Sequence, residues 1–161
     1  MSDETNAKSV VKVQHPASAR KVNKVPYVEL HGGRVQGVVS SGSDASRVYV
    51  SFFDAGTTNY YCSTNNNRPC GGLRGGPCKH LKSLMDEAVL QYGAPKVGRY
   101  LKLGADPASL NSSYDIMRHV TGAKTKEEAS LVFSRFLSYL RYVEYEGTPE
   151  PMPEMAWFTV G

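Results

Sequence analysis

The stretch from Cys62 to Leu84, CSTNNNRPCGGLRGGPCKHLKSL, contains all three cysteines of the chain and, two residues after the last of them, a histidine. An odd number of thiols confined to one short segment fits a disulfide framework badly, because one is always left over. In a reducing compartment, clustered thiols point to a metal instead. A structural zinc site takes four tetrahedral ligands, usually thiolate sulfur and imidazole nitrogen, and Cys62, Cys70, Cys78 and His80 supply that set. Between them lie Asn65, Asn66, Asn67, Pro69, Gly71, Gly72, Gly75, Gly76 and Pro77, residues that let a backbone fold back tightly around an ion. The expected cofactor is one structural Zn2+ per chain. Its binding, on the order of 10 to 16 kcal/mol, would order a loop too poor in apolar residues to order itself. The competing reading makes the cysteines small core residues and His80 a helix cap, and the glycine, proline and asparagine around them speak against it.

The flanks place this segment between a sheet and a helix. From Val25 the chain reads as short β segments: VPYVEL, RVQGVV after the turn signal His31-Gly32-Gly33, SRVYVSFF after a loop from Ser40 to Ser46, and TTNYYC. Val48, Val50 and Phe52 alternate with Arg47, Tyr49 and Ser51, the period of a half-buried strand. Asp54-Ala55-Gly56 stands where a hairpin turn belongs, so Cys62 ends an antiparallel strand. After His80 the period becomes helical, with Leu81, Leu84, Met85, Ala88 and Tyr92 on one face, until Gly93 and Pro95 stop it.

The rest reads as helices. Pro95 opens a short one carrying Val97, Tyr100 and Leu101, closed by Gly104. Asp106-Pro107 is a cap followed by proline at the first helical position, with Ile116, Met117 and Val120 as the apolar face before Gly122. Thr125 and Glu128 form a capping box that starts the strongest helix, with Val132, Phe133, Phe136, Leu137, Leu140 and Val143 inward and Tyr139, Tyr142 and Tyr145 elsewhere on it. After Gly147 the proline-spaced GTPEPMPEM is expected to be extended, and AWFTVG to add a last strand or dock as an apolar clip.

The predicted class is α+β: a small antiparallel β-sheet with a zinc-bound loop leading into a helix, followed by a C-terminal helical segment. At 161 residues the chain suits one domain or one domain with an appendage. The boundaries read 1–24 for a flexible basic arm, 25–94 for the zinc-binding ββα domain, 95–146 for a helical extension and 147–161 for a proline-rich acidic tail.

The run GGPCKHLKSLMDEAV resembles the second half of a SWIM zinc finger, in which a Cys-X-His pair opens a helix after a β-hairpin that carries the first ligands. The similarity extends over about residues 29 to 92. The family's first half is Cys-X-Cys, whereas here Cys62 and Cys70 stand in its place. The resemblance implies a binding module that contacts nucleic acid or protein, with no turnover.

Charge is uneven. The formal net charge is +4, and the metal segment carries Arg68, Arg74, Lys79 and Lys82 with no acidic residue, while Glu144, Glu146, Glu150 and Glu154 close the chain without a basic one. The cations suit phosphate contacts, with Tyr60 and Tyr61 available for stacking on bases. The expected function is therefore a non-catalytic zinc module that binds DNA or RNA. The alternative is a protein adaptor or assembly subunit, self-association included, which docks through its C-terminal helices and tail, where Tyr139, Tyr142, Tyr145 and Trp157 concentrate.

Enzymatic readings find little support. Four filled ligand positions leave none open for a catalytic zinc, and the His-X-Glu with Pro-Cys-X-X-Cys pattern of zinc deaminases is not met. A cysteine nucleophile needs an activating histidine in space; besides His80 the folded region offers His31 and His119, and His15 lies in the arm. GGLRGGPCKH lacks the Gly-Lys-Ser/Thr ending of a phosphate-cradling loop. With a non-catalytic module, no small-molecule substrate is expected. No apolar run approaches the roughly 18 residues that span a bilayer, and the N-terminus lacks a secretory core. A cytoplasmic or other reducing location, with no membrane partner, is expected.

Overall fold

The computed structural model describes residues 24–41 and 47–146. The basic arm other than Lys24, the tail from 147 with Trp157, and the side chain of Tyr145 lie outside the described residues.

Four strands, β1 (Tyr27–His31), β2 (Arg34–Ser40), β3 (Val48–Asp54) and β4 (Tyr60–Thr64), form an antiparallel meander in chain order. The β1–β2 turn is two residues long, with Gly32 at φ 62° and Gly33 at φ 77°. That is the left-handed geometry a tight hairpin requires and glycine adopts at least cost. Strand alternation then sends Val28, Val35 and Val39 to one core and Tyr27, Val38 and Val50 to another.

Helix α1 (Lys79–Tyr92) covers the first of these faces. Its buried residues, His80, Leu81, Leu84, Met85 and Ala88, recur at spacings of three and four, as the sequence predicts. Leu81, Leu84 and Met85 are each fully buried, which stabilises by about 1.5 to 3 kcal/mol per side chain before entropy is counted. Gly93 ends α1, and Pro95 lies in the first turn of α2 (Ala94–Tyr100). The short α3 (Ser113–Met117) adds Ile116 to the same core, with Leu101 and Leu110 from the flanking loops.

Helix α4 (Ser130–Glu146) covers the opposite face through Val132, Phe136 and Tyr139 against Tyr27, Val38 and Val50. The expected α+β class holds, with helices on both faces of the sheet.

Three local expectations are corrected. Asp106 does accept from the Ala108 N–H, but the element it caps is a single 3-10 turn, Pro107–Ser109, and Ser112 starts α3 separately by accepting from the Asp115 N–H. The Thr125–Glu128 capping box does not form. Tyr60 N–H donates to Ala123 O and Thr125 N–H donates to Tyr60 O, so this segment runs parallel to β4 and covers its free edge. An open strand edge outcompetes a helix cap for those backbone groups, and α4 begins five residues after Thr125 with its Ala129 N–H donating to Asn67 Oδ1 at 2.7 Å. Finally, Leu137 and Leu140 are 49% and 41% exposed, whereas Tyr139 is 7% exposed and tilts against Tyr27 at 5.1 Å between centroids.

The rotation of α4 has a polar cause. Glu29, on β1, is fully buried, and Arg135 reaches it with Nε at 2.5 Å and Nη2 at 3.0 Å while Gln36 Nε2 donates at 2.7 Å. Arg135 and Tyr139 lie one turn apart, so pairing the carboxylate turns that stripe inward and the leucine stripe outward. Among the described residues, no helix is long and apolar enough to cross a membrane.

Candidate metal centre

The four residues singled out in the sequence converge although their elements differ. Cys62 lies in β4, opposite Ser51 of β3. Cys70 is folded back onto it by a small loop: Thr64 N–H donates to Arg68 O, Ser63 bridges Pro69, and Cys70 N–H donates to Cys62 O at 3.0 Å. Asn67, at φ 67°, makes the reversal. Eight residues of sequence thus become a neighbouring pair in space. Cys78 is the N-cap residue of α1 and His80 lies in its first turn.

Their ligand atoms all lie within 4.8 Å of one another. His80 Nδ1 faces the sulfurs of Cys70, Cys62 and Cys78 at 3.4, 3.7 and 3.8 Å. A tetrahedral zinc with bonds of about 2.3 Å to sulfur and about 2.0 to 2.1 Å to nitrogen separates N and S by roughly 3.6 Å. The arrangement fits one metal ion, and three sulfurs with one imidazole are a donor set suited to zinc.

The surroundings favour ligating thiolates. Ser51 Oγ is buried without a nitrogen or oxygen partner, and its polar neighbour is the Cys62 sulfur across the strand pair. A thiolate there gives that orphaned hydroxyl an acceptor. Gly72 N–H donates to Cys70 Sγ at 3.4 Å, and a Cβ on Gly72 would stand 3.0 Å from the Cys78 Cβ. The Tyr49 ring stacks on the His80 ring at 3.9 Å and 16°, fixing the imidazole plane.

The thiols themselves divide a proton unevenly. Hydrogen bonding from Cys62 is the main influence that lowers the Cys78 pKa; burial opposes it, and His80 with the backbone N–H groups at the start of α1 adds to the lowering. Cys62 is correspondingly raised by that shared bond to Cys78 and then by burial. Cys70 is raised chiefly by burial.

The expected nucleic-acid contacts divide. Arg68, Arg74, Lys79 and Lys82 are all exposed around the centre, and none is in an ion pair among the described residues. Tyr60 and Tyr61 are 7% and 4% exposed. Both rings belong to the core, so the stacking role expected of them is withdrawn. Their hydrophobic bulk on a strand covered on both faces explains the burial.

Residues that the sequence did not single out also gather here. Arg47, Tyr49, Thr64, Asn65 and Asn66 join Arg68 and Cys70 around an open groove of about 550 Å³ beside the centre. The signal that could have found them is strand register: Tyr49 pairs with Thr64, which sets Arg47 beyond the end of the ladder, next to the 65–68 turn. No protein-family model, no curated protein and no solved structure matches this chain.

Proposed function

We propose that the protein is a zinc-dependent, non-catalytic nucleic-acid-binding module, a variant of the SWIM arrangement in which a folded-back loop brings Cys70 to the place of the second ligand. The observation that carries the reading is the cationic rim of the metal centre. Zinc with three thiolates and a neutral imidazole has a net charge of −1, so one cation balances it. Arg68, Arg74, Lys79 and Lys82 exceed that requirement, and the segment that holds them has no carboxylate. Exposed unpaired guanidinium and ammonium groups on a rigid frame are what phosphate contacts need. Four such contacts would make binding to a single strand weaken with salt at a log–log slope of about −3. Fluorescence anisotropy with labelled single-stranded and duplex oligonucleotides across a salt series tests this. A steep salt dependence is the expected result, and undetectable binding at low salt would contradict it.

A second reading, a protein-docking subunit, rests on a different observation. Helix α4 leaves Leu137 and Leu140, neighbours on one side of the helix, exposed at 49% and 41%. An apolar patch on a helix that is otherwise anchored to the sheet suits a protein contact. Sedimentation at rising concentration distinguishes self-association from a monomer.

A further inference from the structure

Resting on the nucleic-acid reading, we infer that the groove between the start of β3 and the 64–71 loop seats one nucleotide of a single strand, its phosphate held between Arg47 and Arg68. Both guanidinium groups belong to exposed residues lining the same groove, and neither is in an ion pair or side-chain hydrogen bond among the described residues. Among the described residues, no carboxylate lines it. Its volume of about 550 Å³ lies within the range of small-ligand sites, roughly 300 to 1,000 Å³.

The polar wall is prepared for a base as well. Thr64 Oγ1 accepts from the backbone N–H groups of Asn66 and Arg68 and thereby fixes the loop. Asn67 is committed to the N-terminus of α4. That leaves the side-chain amides of Asn65 and Asn66, two residues that line the groove, with no partner among the described residues. Such amides offer a donor and an acceptor side by side, the pattern that pairs with a base edge. A duplex keeps its bases stacked inside and would present only its backbone to so small a recess, whereas a single strand can lay one nucleotide into it. The metal contributes rigidity, since Cys70 lines the groove as well as the centre and Tyr49 joins the groove to His80.

The test compares two sets of exposed cations. Arg47→Ala with Arg68→Ala removes two charges from the groove, and Arg74→Ala with Lys79→Ala and Lys82→Ala removes three outside it. Anisotropy is measured with a short fluorescein-labelled oligothymidylate and an oligoadenylate, with zinc content checked in each protein. The groove pair is expected to lose at least about tenfold in affinity and to make the log–log salt slope shallower by about 1.4, two contacts at roughly 0.7 each. It should lose more than the triple variant, an order that a pure net-charge effect reverses. Asn66→Ala should reduce binding without changing the slope. If the wild-type protein binds but the triple variant loses as much as the groove pair or more, the groove assignment is overturned and the nucleic-acid reading stands. If the wild-type protein binds neither oligonucleotide, both fall.

Discussion

Ser51 is the residue at which the metal reading meets its sharpest local check. A hydroxyl buried in a sheet without an acceptor costs about 1 to 3 kcal/mol, and the Cys62 sulfur is the neighbour that can relieve it. Outer hydrogen bonds of this kind typically change metal affinity by about 10- to 100-fold. Ser51→Ala is therefore expected to keep the fold and to lose zinc affinity by about tenfold, measured by competition with a chromophoric chelator. An unchanged affinity would show that the hydroxyl does not act on the metal. Gly72 shows how little room the centre leaves. A Cβ there would stand 3.0 Å from the Cys78 Cβ, so a methyl group requires the Cys78 side chain to give way slightly, whereas the loop sequence alone presents Gly72 as one turn glycine among several.

At the scale of elements, α4 is bound to the sheet by one buried carboxylate as well as by its apolar face. Burial pushes the Glu29 pKa up, but the hydrogen bonds from Arg135, Gln36 and Tyr27 outweigh it and hold the net value below the ordinary 4.5. A carboxylate lowered in the folded state contributes stability that is present above its unfolded pKa and is lost as pH falls through the folded value. Acid titration should accordingly leave α4 docking intact above about pH 4.5 and weaken it below. Arg135→Ala should destabilise the protein by about 2 kcal/mol in chemical denaturation. That is less than the roughly 3 to 5 kcal/mol of a fully buried pair, because the guanidinium side is 43% exposed and screened by water. A loss within experimental error would mean that the apolar contacts alone hold the helix. Strands, turns and α1 were legible in the sequence because their signals are local: two-residue alternation, Gly32-Gly33, and apolar spacings of three and four. The face of α4 was not, since it depends on Glu29 and Arg135, which lie 106 residues apart. The false capping box failed for a similar reason, as the edge of β4 that claims Thr125 is visible only once the sheet exists.

For the whole molecule, the Cys62, Cys70, Cys78 and His80 cluster, which could hold one metal ion, joins the two parts of the fold that the sequence connects only through a glycine-rich loop. Cys62 belongs to the sheet, Cys78 and His80 to α1, and Cys70 to the loop between them. The ligand set was legible from residue type and clustering. The groove with Arg47, and the burial of Tyr60 and Tyr61, were not, because both follow from strand register and from layers on each face of the sheet. One ion at this junction should therefore govern the stability of the whole sheet–helix unit, since metal binding and folding share one free energy. The direct measurement is elemental analysis of the purified protein together with its thermal unfolding before and after treatment with a strong chelator. The account predicts about one zinc per chain, its absence in Cys78→Ser or His80→Ala, and a large fall in the unfolding temperature on chelation; a metal-free protein whose unfolding is the same with and without chelator would contradict it.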